Sequence, residues 1–566
     1  MEKFREFSQK FCLKEISIIF VFSLILFVIF CGKTESFLID AGREAYIPWR
    51  MLDGSLLYKD IFNVYGPVSY QINAVLFAIF SPHLNTLYAA GYVTSLLILY
   101  LIFFITKMFT DRTTSLYTAL IVMVSCVFTK TLFSFIFPYS YGAIYGLAGF
   151  LLSVLFYIIF LRDCSSKYLY WAFAFAGFAF ANKIEYLPYA LVLFLSLIFI
   201  KPALKQFLFS VLSFFAVPMI SFGILLLQGV GFGDFVNAGK LIINLVHTPA
   251  VEFYYKNYGM YFGGSWVLFS LKILWKLLLF GTPLAVLYSI LASDRFGKKV
   301  PQYILPIIAF AAAFLNFGRI KTFEYSFFSW LGLVCIVILV WQAWLIFKKK
   351  ADYKYLFLLI AALCASVKGI SSISTECYGT FSIAVLMIPF MIFVSGLSVK
   401  YKDLWLKIFH YITLTVIFVY VLAISAHALY NKIYPVKTQR GNIYVKAYMP
   451  HIGEMVDFIN KNTDKNSVIV SVPEGAMVNF LTGRKSNDKY YYLIPVNEQL
   501  FGSEKIAKDF AKNPPDYFLL NTMPYDCYGK NDFCSYAEPV CKFIAENYVL
   551  NSYTKDPVRF YLYKRK

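Results

Sequence analysis

The chain has 566 residues, of which 59% are hydrophobic and only 15% charged, with a formal net charge of +20. Soluble domains run about half apolar and about a quarter charged, so the composition excludes an ordinary soluble globular protein and reads as an integral membrane protein. The positive charge does not signal nucleic acid, because it gathers in alternate short connections between apolar runs.

In chain order, the first apolar run, "ISIIFVFSLILFVIFC", is followed by Lys33 and Glu35 instead of a small-residue cleavage site. It reads as a retained first span. Runs long enough to cross a bilayer recur near 16–31, 86–108, 114–137, 141–161, 168–183, 184–200, 206–228, 265–291, 301–317, 325–346, 354–370, 380–398 and 406–428. The segment "VSYQINAVLFAIF" (68–80) reads as an interfacial helix, because Gln71 and Asn73 lie within it and Pro82 ends it. Basic clusters at Lys3 to Lys14, Lys107 and Arg112, Arg162 and Lys167, Lys201 and Lys205, Arg295 to Lys299, Lys348 to Lys350 and Lys400 to Lys407 mark the cytoplasmic connections. The N-terminus is then cytoplasmic. The segment after the first span, the connections around Lys183, 229–264, 318–324 and 368–379, and everything after residue 430 face outward.

After residue 430 apolar density falls. "SVIVSV", "PDYFLLN" and "RFYLYK" read as strands, while "HIGEMVDFINKN" and "SEKIAKDFAKN" carry helical periodicity. The expected fold is mainly α: a polytopic α-helical membrane protein of about 13 spans with a small C-terminal α/β extracytoplasmic domain. Its expected division is 1–429, with a first outer loop at 32–85, and 430–566. Seven of the ten cysteines lie in or beside spans; Cys527, Cys534 and Cys541 lie in the outer domain. An oxidising compartment permits one bridge among these three, with Cys527–Cys534 the candidate pair.

Charges also collect where apolar sequence meets the outer face. The first outer loop, "LIDAGREAYIPWRMLDGSLLYKDIFNVYGP", holds Asp40, Arg43, Glu44, Arg50, Asp53, Lys59 and Asp60. Asp40, Arg43 and Glu44 are spaced to share one face of a helix. Lys183 and Glu185 ("ANKIEYLPY"), Arg319, Lys321 and Glu324 ("FGRIKTFEYSF"), and Lys368 and Glu376 ("VKGISSISTECYG") lie in further outer connections. Outer cations run against the positive-inside bias, and ionisable groups at span ends are costly unless used. Carboxylates with several cations in one outer cavity suit a phosphate-bearing substrate at the membrane surface. Gly66-Pro67 reads as a turn before the interfacial helix. The histidines are scattered and form no metal-ligand pattern, and "GVGFGDF" (229–235) lacks the lysine and context of a phosphate loop.

The stretch "DAGREAYIPWRMLDGSLLYKDIFNVYGPVSYQINAVLFAIF" resembles the first outer loop of the GT-C superfamily of polytopic glycosyltransferases. More narrowly, it is similar to bacterial relatives of protein O-mannosyltransferases and of the lipid A aminoarabinose transferase. "FANKIEY" and "VPEGAMVNFLTGRKS" (472–486) resemble further stretches of the same group. The resemblance implies a sugar donor on a polyprenyl phosphate, an acceptor that is a lipid, glycan or protein, and a multi-pass location in the bacterial inner membrane. It places Asp40 at the position of the acceptor's base and Arg43 where some relatives touch the carrier phosphate. Many members carry two adjacent acids; here Ala41 follows Asp40, and Glu44 comes one helical turn later.

The expected site is therefore Asp40, Glu44 and Asp60 as catalytic acids. Arg43, Lys183, Arg319 and Lys321 are expected on the donor phosphate, with Tyr65, Glu185 and Glu324 in support. A phosphate leaving group calls for cations more than for an acid, and an attacking hydroxyl calls for a carboxylate base. No cofactor is called for; a divalent metal is compatible but not indicated. A transporter or flippase of lipid-linked saccharides is the alternative, though its polar residues would be expected near mid-membrane between repeated halves.

Overall fold

The computed structural model describes residues 12–33, 40–260, 263–291, 326–375, 377–401, 403–445, 451–553 and 559–566. The expected span at 301–317 and the residues Arg319, Lys321, Glu324 and Glu376 lie outside the described residues. Among the described residues, five helices contain a stretch long and apolar enough to cross a membrane: Leu13–Phe30, Leu84–Lys107, Tyr141–Asp163, Leu204–Gln228 and Gly379–Gly396. Shorter apolar helices lie between them, including Leu331–Phe347 and Tyr353–Ala365. The chain is a mainly helical membrane protein with a small C-terminal domain.

The pair of runs meeting at Lys183 forms two helices, Ser166–Asn182 and Leu187–Ile200, joined by the 3-10 turn Ile184–Tyr186. Lys183 itself is extended, so its side chain leaves the end of one span without belonging to either. The expected span 114–137 is shorter than its hydropathy suggests. Helix Arg112–Val122 continues as a π turn over Met123–Val127, and residues 128–140 are irregular. Irregular backbone in so apolar a stretch needs partners inside the protein. Ser134 Oγ donates to the Val127 carbonyl at 2.9 Å and Thr131 Oγ1 to the Thr375 carbonyl at 2.5 Å. Pro138, which has no N–H to give, stands in the same stretch.

The segment expected as the first outer loop contains two helices, Ala41–Leu52 and Val68–Phe80. Two glycines bring it close to its neighbours. A Cβ on Gly66 would stand 1.9 Å from the Ala181 carbonyl oxygen, so only glycine lets this turn lie against the end of helix Ser166–Asn182. A Cβ on Gly42 would stand 2.5 Å from the Met477 backbone nitrogen, so helix Ala41–Leu52 meets the C-terminal domain backbone to backbone.

That domain begins after helix Asp403–Tyr430 with a hairpin, β1 Tyr434–Thr438 and β2 Gly441–Val445. A four-stranded sheet follows, built from β3 Ile469–Val472, β4 Tyr517–Asn521, β5 Tyr548–Tyr553 and β6 Phe560–Arg565 in the order β3-β4-β6-β5. The β3–β4 pair is parallel and the others antiparallel. Helices His451–Asn462 and Ser503–Lys512 stand where their periodicity placed them. The disulfide is Cys534–Cys541, with Cys527 free. This corrects the Cys527–Cys534 pairing: Cys527 lies in a separate 3-10 turn, while the other two flank the start of helix Glu538–Asn547 with Cα atoms 5.6 Å apart.

Candidate active site

Asp40 immediately precedes helix Ala41–Leu52, with φ at 47°. A non-glycine residue takes that backbone only where its surroundings compensate. Compensation comes from the far end of the chain: the Asp40 N–H donates to Glu474 Oε1 at 3.0 Å. The spacing of Asp40, Arg43 and Glu44 has the consequence expected of one helical face. Arg43 Nη1 donates to Asp40 Oδ1 at 2.7 Å and Nε to Glu44 Oε1 at 3.0 Å, while Nη2 donates to the Tyr139 carbonyl. The guanidinium lies over the Tyr65 ring, 4.8 Å from its centroid.

The two acids of this helix differ in surroundings. Glu44 is fully buried, and besides Arg43 it accepts the Tyr70 hydroxyl at 3.0 Å and the Tyr141 N–H at 2.8 Å. Its oxygens are committed to protein donors, so it holds Arg43 in place. The Asp40 side chain keeps 25% exposure against 6% for its Arg43 partner. Of the two, Asp40 is the one an incoming molecule can reach.

Lysines complete the cluster. Lys183 is 3% exposed and donates to the Tyr139 hydroxyl at 2.6 Å. It lies 4.4 Å from the Tyr65 ring centroid and 4.6 Å from that of Tyr139. Tyr65 thus meets both Arg43 and Lys183. Glu185 Oε1 stands 3.6 Å from Lys183 and 2.8 Å from Lys368, whose ammonium lies 4.1 Å from the Tyr378 ring centroid. Burial pulls the Lys183 ammonium down to about 8 against the opposing field of Glu185. Burial alone would raise Glu185, but the two lysines outweigh it and hold its carboxyl well below the usual range.

The structure therefore brings together Asp40, Arg43, Glu44, Lys183, Glu185 and Tyr65. It does not place Asp60 with them. Asp60 is exposed, accepts the Leu56 N–H at 2.8 Å, and lines a separate cavity of about 530 Å³ with Arg50, Asp488 and Asp509. The sequence reading missed Tyr139, Tyr378 and Glu474 as members of the cluster. Glu474 carried a usable signal: it is an acid in the otherwise apolar "VPEGAMVNF". Burial, reinforced by Asp40, pushes its carboxyl up to about 8. Among the described residues no group of three or more His, Cys, Asp or Glu side chains is placed to hold a metal ion.

No protein-family model and no curated relative matches the sequence. Solved structures do match in shape. The oligosaccharyltransferase of Archaeoglobus fulgidus in its apo form is similar with a TM-score of 0.52 at 11% identity, over 93% of this chain and 72% of that one. Its complex with Zn and sulfate gives 0.50 at 10% identity, over 97% and 73%. ArnT from Cupriavidus metallidurans bound to undecaprenyl phosphate is 12% identical over 97% of each chain, with a TM-score of 0.44. At such identities the likeness is one of fold alone: the chain shares the fold of the Archaeoglobus fulgidus oligosaccharyltransferase.

Proposed function

We propose that the chain is a membrane glycosyltransferase that moves one sugar from a polyprenyl-phosphate donor to an acceptor hydroxyl on the extracytoplasmic face. The observation that carries this reading is the reachable carboxylate of Asp40 held against a buried cluster of cations, on a fold shared with an oligosaccharyltransferase. Asp40 takes the proton of the acceptor hydroxyl. The acceptor oxygen bonds to the anomeric carbon as the bond from that carbon to the carrier-phosphate oxygen breaks, and the electron pair leaves with the phosphate. Displacement from the opposite side inverts the anomeric centre. Arg43, Lys183 and Lys368 hold the charge that develops on the leaving group; Arg319 and Lys321, with Glu324 in support, are proposed for the same task from the sequence alone.

Glu44 then serves to orient Arg43, and Glu185 to hold both lysines. Tyr65 forms the aromatic floor that the Arg43 and Lys183 cations share. Asp60 takes no part in the chemical step. Residues 1–429 form the transferase body and 430–566 the outer domain, with the N-terminus in the cytoplasm, a disposition supported by the alternation of basic connections. The acceptor is a lipid, glycan or protein.

The test is reconstitution of the purified full chain in proteoliposomes with undecaprenyl-phosphate hexoses and pentoses and an envelope extract as acceptor source. Acceptor-dependent release of undecaprenyl phosphate, together with a reporter after residue 430 that is active only outside the cytoplasm, is the expected pair of results. A chain that moves the intact lipid-linked sugar across the bilayer without releasing carrier is a transporter, and the proposal fails.

A further inference from the structure

Glu474 follows strand β3 and Pro473, and only 7% of it is exposed. The C-terminal domain holds it on several sides. Its carbonyl accepts Asn521 Nδ2 at 2.5 Å, its Oε2 accepts the Tyr525 hydroxyl at 3.1 Å, and its backbone pairs with Tyr492. The remaining oxygen, Oε1, reaches out of the domain to the backbone N–H of Asp40. Two residues further on, helix Ala476–Thr482 abuts helix Ala41–Leu52 at Gly42. The carboxyl group is therefore carried on a firm mount, and Asp40 stands at its tip with a positive φ of 47°. Being ahead of the first helical turn, the Asp40 N–H has no acceptor within its own helix.

We infer that Glu474 is a positioning residue for sugar transfer: its carboxyl group fixes the Asp40 backbone, and with it the direction in which the Asp40 carboxylate meets the acceptor. This rests on Asp40 being the base. It also makes the base's geometry depend on the docked C-terminal domain, so the membrane-embedded part alone holds an incomplete site. The groups that face Glu474 are Asp40, Arg43, Tyr492, Tyr525, Cys527 and Tyr536. Arg43 is the cation among them, and its nitrogens are engaged by Asp40, Glu44 and Tyr139. A buried carboxyl beside Asp40 favours its neutral form, so at neutral pH Glu474 sets no second anion against the donor phosphate.

The test compares Glu474→Ala and Glu474→Gln in the full chain, assayed with whichever undecaprenyl-phosphate hexose or pentose wild type uses. Glutamine keeps an oxygen for the Asp40 N–H and a polar partner for Tyr525; alanine keeps neither. The alanine variant should lose up to about 100-fold in kcat, the scale of a misplaced catalytic group, with donor KM within about threefold of wild type. Glutamine should restore kcat below pH 8 and show a shallower rise in donor KM above it, because the charge that wild type gains there is absent. Wild-type kcat in both variants would overturn the positioning role while leaving the transferase reading intact. An equal loss of kcat in both, with donor KM unchanged, would also overturn it by showing that the carboxyl itself is consumed in the chemistry. Loss of transfer in wild type under all donors would instead count against the transferase reading.

Discussion

At the scale of single residues, the site turns on buried charge. Lys183 keeps a cation in a nearly dry place, and burial brings its ammonium down to about 8. A lysine with a lowered pKa is charged below that pH and loses its charge above it. The affinity of the free protein for undecaprenyl phosphate should therefore fall by about tenfold between pH 7 and pH 9.5, the worth of one hydrogen bond to a charged group. Lys183→Arg, charged throughout this range, should lose less over the same interval, the remainder being the ionisation of Glu474. Equal losses in the two proteins, read by calorimetric titration, would remove Lys183 from the phosphate site. Asp40, Arg43 and Lys183 were legible in the sequence because a charge beside a span stands out against apolar neighbours. Glu474 offered the same local signal, an acid in an apolar stretch, but its role was not legible, because that comes from a contact across 434 residues of chain.

At the scale of elements, helix Ala41–Leu52 is the piece that carries the site. It is pinned along its length: Asp40 by Glu474, Gly42 by Met477, and its far end by Arg50 and Tyr46, which bond the Ser486 carbonyl and N–H at 2.6 Å and 2.7 Å. Helix propensity alone says that Gly42→Ala should stabilise by about 0.5–1 kcal/mol. The backbone contact at Met477 reverses the sign, and overpacking of this kind costs about 1–3 kcal/mol. The expected result is a lower unfolding midpoint and faster proteolysis between helix Ala41–Leu52 and the C-terminal domain; a raised midpoint would contradict this packing. Apolar periodicity made the strands at 469–472, 517–521 and 560–565 readable. It misled at the end of the expected span 114–137: residues 128–140 are irregular, and the Thr131 and Ser134 hydroxyls there donate to the Thr375 and Val127 carbonyls. That exception matters, since Tyr139 lies in it and meets both Arg43 and Lys183.

At the scale of the whole molecule, apolar helices and the C-terminal α/β domain close around one charged cluster, to which helix Ala41–Leu52, the turn at Lys183, the segment at Lys368 and residue 474 each contribute. Composition and basic alternation were enough to read the membrane class and the helical architecture, because bilayer thickness and loop charge act on every span alike. The meeting of distant loops needed the fold. The measurement that bears most directly on sugar transfer by this cluster is single-turnover transfer by Asp40→Asn in proteoliposomes, with undecaprenyl phosphate binding measured on the same preparation. The account predicts carrier binding within about threefold of wild type and transfer lowered by about 10²–10⁴-fold, the usual share of a general base. Transfer near the wild-type rate in a folded, carrier-binding Asp40→Asn protein would contradict it.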